Sequence, residues 1–266
     1  MQSIDDLKQL DLLADGDSTI HRLDPRAKVL VTLIFIISVI SFGTYELAAL
    51  LPFSVFPIVM ISLARLPPLY IARKIVLIWP YVILIGIFNP VFDREMLLQF
   101  GMFGISGGWV SFISMLVRSA LTVGAALILI GTTGFTSVCQ ALEQMGMPQV
   151  FTVQLLFLYR YIFVLSEEGD RASRARELRS CGKKGMGMRS FSSMTGHLLL
   201  RTWQRAERIH MAMLARGFVG IFHARRQSRF GKAELLFVLG WGTLFILLRT
   251  RNIPLLLGSL VTDLFI

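Results

Sequence analysis

The strongest constraint on this chain is a series of apolar runs. They lie at about Val29 to Phe42, Leu47 to Leu63, Ile75 to Phe88, Trp109 to Ile130 and Ala233 to Leu248. Inside a bilayer no water pairs with backbone N–H and C=O groups, so each run must close its own hydrogen bonds as a helix. The expected fold is all-α, a polytopic membrane helical bundle of five spans with room for a sixth. Composition agrees: charged residues are 17% of the 266, against roughly 25% in soluble domains. The first run is about as long as a signal-peptide core. Charges fill positions 1 to 28 and no small-residue cleavage site follows, so it reads as a retained span.

Charge sets the orientation. The net charge is +10. Ser166 to Lys232 holds 15 Lys and Arg against 5 Asp and Glu, and the rest of the chain holds 12 against 12. The whole excess is one block, which the positive-inside rule places in the cytoplasm. Three regions follow: an N-terminal transmembrane bundle over 1–131, cytoplasmic or interfacial helices over 132–232, and a C-terminal transmembrane segment over 233–266.

Local signals refine this. Residues 1 to 23 are polar with scattered leucines and read as a short interfacial or loosely ordered segment. Asp24 can cap the first span and Pro25 fits its first position, where no amide donor is needed. Arg22, Arg26 and Lys28 hold that end inside. Pro52 and Pro57 should kink the second span. "ARLPPLYIARK" reads as an inner loop and "NPVFDREMLLQFGMFGISGG" as an outer one. Arg118 lies inside the fourth span, where it must face protein, water or a carboxylate. Thr136 to Met145 reads as a short amphipathic helix. Pro148 restarts a longer one, whose apolar start packs on the bundle or lies in the interface without an odd number of crossings. Residues 253–266 read as interfacial or re-entrant.

The basic block contains a repeated stripe. Arg208, Ala212 and Arg216 are spaced four apart, and Arg201 and Arg205 continue their face. Arg171, Ala175 and Arg179 repeat the same Arg-x3-Ala-x3-Arg pattern, with Ser180 standing where Gly217 stands in the second copy. Each copy sets guanidinium groups on one face with a notch between them. Alanine admits another backbone closely, and arginine binds carboxylates through two parallel hydrogen bonds. The helices, joined by "CGKKGMGMRS", are expected to cross at Ala175 and Ala212. Gly217 permits a left-handed stop that would fix the angle of Arg216. The stripes read as a two-pronged docking surface for acidic grooves.

Other chemistry is sparse. "GKKG" at 182–185 lacks the spacing and preceding strand of a P-loop, so no ATP hydrolysis is expected. The histidines at 21, 197, 210 and 223 form no metal-binding spacing, and the methionines scatter through apolar runs as packing residues. Cys139 and Cys181 lie far apart and read as small semi-buried residues. No catalytic residue, metal ligand or cofactor is expected in this chain.

"HRLDPRAKVL", "LYRYIFVLSEE" with "RARELRS", and "RAERIHMAMLARGF" resemble the transmembrane T component of energy-coupling factor transporters, of the CbiQ type associated with cobalt and nickel uptake. The likeness covers nearly the whole chain. Ala212 to Phe218 resembles the family's Ala-x-x-x-Arg-Gly motif, and Ala175 to Ser180 departs by carrying serine where many members carry glycine. The resemblance implies an all-helical scaffold of five or six spans with long cytoplasmic coupling helices. It implies two ABC-type ATPase subunits that bind ATP and dock one motif each, at Arg179 and Arg216. It also implies a separate substrate-capture membrane component, which holds the cargo and reorients when the ATPases close.

Three functions compete: a non-catalytic coupling subunit of an importer, serving cobalt or nickel or else vitamins; a membrane enzyme; and a basic module binding anionic lipid or nucleic acid. The spans supply almost no catalytic side chains. A nucleic-acid binder would interleave aromatics with its charges, yet only Phe191 and Trp203 are aromatic between 171 and 216. The coupling subunit is the expected function, with membrane lipid around it and no nucleic-acid partner.

Overall fold

The computed structural model describes residues 9–43, 45–89, 96–100, 103–179, 187–218 and 231–250. After a short helical stretch at residues 9–14, the described residues form α1 Pro25–Ile40, α2 Leu47–Leu50, α3 Val55–Ala64, α4 Pro68–Gly86, α5 Gly107–Thr133, α6 Phe135–Gln144, α7 Gln149–Arg179, α8 Met188–Ala215 and α9 Lys232–Thr250. A 3₁₀ turn, Leu51–Ser54, joins α2 to α3. The architecture is an all-α membrane bundle. The expected outer loop contains a short antiparallel hairpin, β1 Met96–Phe100 and β2 Phe103–Ser106, pairing Gln99 with Gly104 and Phe100 with Phe103.

The chain divides into two compact units: Lys8–Ala141 with Ser228–Ile266, and Leu142–Gln227. The N- and C-terminal transmembrane pieces thus fall into one unit, because α9 packs along α1.

In that unit α5 is the central post, touched by α1 to α4. It runs antiparallel to α1: Lys28 meets Thr132 at one end and Arg118 meets Gly43 at the other. It runs antiparallel to α4 as well. A Cβ on Gly86 would stand 2.8 Å from the Phe112 ring, and one on Gly124 3.4 Å from Ile75. Small residues therefore let these helices close up. The core is aromatic. The Phe35 ring lies 4.6 Å from Phe56, 5.4 Å from Phe245 and 6.1 Å from Phe53, and Phe56 meets Trp241 edge-on at 4.9 Å. Several hydroxyls inside helices are satisfied locally: Thr32, Ser38, Ser62, Thr122 and Thr132 each donate to the carbonyl four residues back.

Several sequence expectations meet their physical cause here. Asp24 caps α1, its carboxylate accepting from the Arg26 amide at 2.9 Å, and Pro25 opens the helix. Pro52 lies in the 3₁₀ turn that interrupts the second span between α2 and α3. Pro57 falls in the first turn of α3, where its missing amide costs nothing. The Arg118 guanidinium faces protein, donating to Gly43 O at 3.0 Å.

Others need correction. "ARLPPLYIARK" is not a loop throughout. Arg65 closes α3 at φ 53°, Pro68 begins α4 at once, and Arg73 and Lys74 lie within α4. Residues 9–23 are not a loose segment: 9–14 are helical, and Leu10 and Ile20 are buried. Among the described residues five helical stretches are long and apolar enough to cross a membrane: four of the expected runs, and Gln149–Arg179. The first run forms a helix of 16 residues, about 24 Å, which lies along α5 from Lys28 and Thr132 at one end to Gly43 and Arg118 at the other. Gln149–Arg179 is one unbroken helix, mostly apolar to Leu165 but interrupted by Gln154 and Arg160, and charged from Glu167 onward. Charge counting kept this stretch out of the odd crossings, although its length and composition are those of a span. Residues 253–266 lie outside the described residues.

Candidate docking surface

The second unit holds α6 from Leu142 onward, then α7 and α8. Its two long helices meet through one carboxylate. Glu168 of α7 accepts from Arg201 Nη1 at 3.3 Å through Oε1, and its Oε2 lies 3.7 Å from Arg205 Nη1. Glu168 is 22% exposed, while Arg201 is 71% exposed, so the pair is wet and weakly stabilising, on the order of 0.2–1 kcal/mol. Its value is geometric, because it sets the register of α7 against α8.

From this node the helices run antiparallel. Glu168, Arg171, Ala175 and Arg179 of α7 share a groove of about 670 Å³ with Ser190, Met194 and His197 of α8. On the other side of the node, Arg205 and Arg208 line a second concavity with Glu168. Arg179 lies eleven residues beyond Glu168, and Arg216 eleven beyond Arg205. The first arm is about 16 Å long and the second, counted from Arg205 or from Arg201, about 16 to 22 Å, and the two arginines extend from the node in opposite directions.

The expected crossing at Ala175 and Ala212 is not what the described chain shows. Both alanines are exposed, whereas residues at a crossing are covered by the opposing helix. Glu168 supplies the contact instead. It gave no signal of its own in the sequence, where it is one of several acids in "SEEGD". Arg171, Arg179, Arg208, Arg216 and Gly217 are exposed as well. Ser180 lies outside the described residues, as does most of the glycine-rich connection.

Gly217 behaves as its sequence position suggests. Its φ is +77°, its amide donates to Leu214 O at 2.9 Å, and the Phe218 amide donates to Met213 O at 3.0 Å. This is a Schellman stop, which satisfies the last carbonyls of α8. No atom lies within 4 Å of where a Cβ would stand, so the need for glycine is conformational alone. Gly217→Ala should cost about 1–2 kcal/mol locally. Hydrogen exchange of the amides from Met213 to Phe218 should accelerate about tenfold, while Gly217→Asn, which tolerates the left-handed region, should change it little.

α8 is two-faced. Arg201, Arg205, Arg208, Ala212 and Arg216 follow one side, while Leu199, Leu200, Trp203, Met211 and Leu214 follow the other and are exposed. Met211 is exposed and Met213 half-buried, consistent with their facing different ways. Cys139 of α6 is buried, and burial pushes its thiol above the usual range, so it stays protonated and unreactive. Among the described residues no three His, Cys, Asp or Glu side chains gather as metal ligands.

Sequence reading also missed a fastening at the far end of α1. Arg249 of α9 donates to Ser41 O at 2.9 Å and to Ser41 Oγ at 3.2 Å. It stacks 4.1 Å over the Phe42 ring and lies 3.9 Å from Glu46. With Arg118 on Gly43 O, two arginines from two helices hold one short loop.

Comparison with known proteins gives the class. The family model described as CbiQ, cobalt transport protein, matches residues 16–228. The energy-coupling factor transporter transmembrane protein EcfT of Acidaminococcus fermentans is 28% identical over 251 residues, covering 88% of this chain and 92% of that protein. EcfT of Heliobacterium modesticaldum is 28% identical over 77% of this chain and 81% of its own length, and EcfT of Bacillus subtilis is 27% identical over 77% and 82%. The matched region contains both arginine stripes and every span of the bundle except α9. This chain therefore belongs to the CbiQ family of transporter transmembrane components, as a multi-pass protein of the prokaryotic cell membrane.

Proposed function

We propose that this chain is the coupling subunit of an ATP-driven energy-coupling factor importer for cobalt or nickel ions. It transmits the motion of two ABC-type ATPase subunits to a separate membrane protein that captures the cargo. One observation carries this reading: the same Arg-x3-Ala-x3-Arg face recurs on two exposed helices, with its terminal arginines on two arms that run in opposite directions. Two like subunits need two like docking points, set apart. Planar guanidinium groups suit carboxylates on those subunits, and Ala175 and Ala212 leave room for a partner backbone. The basic side faces the cytoplasm, where ATP is available. The chain is a transducer in this reading, neither hydrolysing ATP nor holding the metal.

The test is co-expression with an ABC ATPase pair and a metal-type capture protein, purification through this chain, and reconstitution in liposomes. ATP-dependent uptake of Co²⁺ or Ni²⁺, absent without this chain, is expected. Failure of ATPase subunits to co-purify would remove the coupling role. Uptake obtained only with a vitamin-type capture protein would keep that role and change the cargo.

A further inference from the structure

Lys28 reads in sequence as a topogenic charge at the inner end of the first span. The structure buries it. The residue is 2% exposed, although an ammonium is costly to bury unless it is paired and hydrogen-bonded. Nζ donates to Thr132 O at 2.9 Å and lies 3.4 Å from His21 O. Thr132 is the penultimate residue of α5, where carbonyls lack helical partners and the helix carries its partial negative charge. Asp24, buried one turn earlier, supplies the counter-charge. Exposed Arg22 could mark the inner side of the membrane without any of this.

The N-terminal segment closes on the same corner. His21 is held by Ser18 Oγ at 2.7 Å and by Leu13 O at 3.0 Å. Leu10 and Ala14 lie 3.9 and 3.4 Å from where Cβ atoms on Gly131 and Gly134 would stand. Gly134 is the turning point: at φ +77°, its amide donates to Ile130 O at 2.8 Å, ending α5, and α6 begins at the next residue. One ammonium thus joins the N-terminal segment, α1 and the end of α5 at the place where the chain leaves the bundle. From there α6 runs through Gly146 and Pro148 into α7, which carries the first arginine stripe.

We propose that Lys28 is a positioning residue for transport. It pins the end of α5, just before Gly134, to α1 and the N-terminal segment, so that a pull on α6 reaches the bundle instead of being absorbed at Gly134. This role rests on the coupling reading above.

The test uses the complete transporter, reconstituted with its ATPase and capture subunits. Lys28→Met keeps the apolar stem and removes the ammonium, and Lys28→Arg keeps the charge. For Lys28→Met, complex yield and ATPase rate should stay within about twofold of wild type. Ions imported per ATP hydrolysed should fall fivefold or more, and amide exchange over 9–21 and 134–144 should rise tenfold. Lys28→Arg should recover at least half of the transport ratio. An unchanged ratio, or uptake falling only in step with the amount of assembled complex, overturns the proposal. If Lys28→Met does not assemble, Ala14→Leu decides, because it wedges the segment off Gly134 without touching a charge. A lowered ratio there supports the role, and a wild-type ratio overturns it. A wild-type chain that binds no ATPase subunit would defeat the coupling reading itself, an outcome separate from a transporting complex indifferent to Lys28.

Discussion

Replacing Arg179 and Arg216 together by glutamate is expected to strip the ATPase subunits from the purified chain and abolish uptake. Membrane insertion and thermal stability should stay at the wild-type level. Both side chains are exposed, and exposed substitutions away from packed features change folding stability by about 0.5 kcal/mol or less. At an interface the arithmetic differs. Truncating one member of a desolvated, hydrogen-bonded charge pair costs about 2–5 kcal/mol, which is roughly thirtyfold or more in affinity. Reversal adds repulsion against the partner's carboxylates. Binding by surface plasmon resonance, at two ionic strengths, measures the loss. The Arg179→Lys, Arg216→Lys pair divides the explanation: lysine keeps the charge and loses the planar fork. Full binding by that pair would show that charge suffices and geometry does not matter. Equal binding by the glutamate pair would place the arginines against lipid headgroups instead.

The second large effect concerns the bundle. Phe35→Ala should destabilise the chain by about 3–5 kcal/mol. Phe35 is fully buried among Phe53, Phe56 and Phe245, which come from three different elements. In lipid, packing between helices draws on close contact rather than expulsion of water. A void at this junction therefore loses contacts on every side that the surrounding helices cannot recover without shifting. Thermal unfolding in detergent, followed by tryptophan fluorescence, should show a clear fall in midpoint. Leu69→Ala is the comparison, since Leu69 is 81% exposed, and it should leave the midpoint nearly unchanged.

Much of the architecture was legible in the sequence because it depends on local chemistry. Apolar runs must be helical in lipid. Asp24 and Pro25 start a helix by their own side chains, Pro52 falls in a 3₁₀ turn, and Gly217 stops a helix by its freedom at positive φ. Matching arginine stripes follow from a spacing of four and need no tertiary information. Charge bookkeeping was less secure. It counted Lys28 with Arg22 and Arg26 as a charge holding the helix end inside and did not find its burial, because counting sees the sign of a side chain and not its surroundings.

By itself, then, the sequence determined the class of fold, the places where most helices begin and end, and which residues share a face. These follow from backbone hydrogen bonding and a period of 3.6 residues. Only the tertiary structure decided which charges meet. It chose Glu168 over the alanines as the node of α7 and α8, drew Lys28 inward onto Thr132, and brought Arg249 to Ser41 across the bundle. Such pairings join residues far apart in the chain, and their energy depends on distance and burial, which no local pattern of residues encodes.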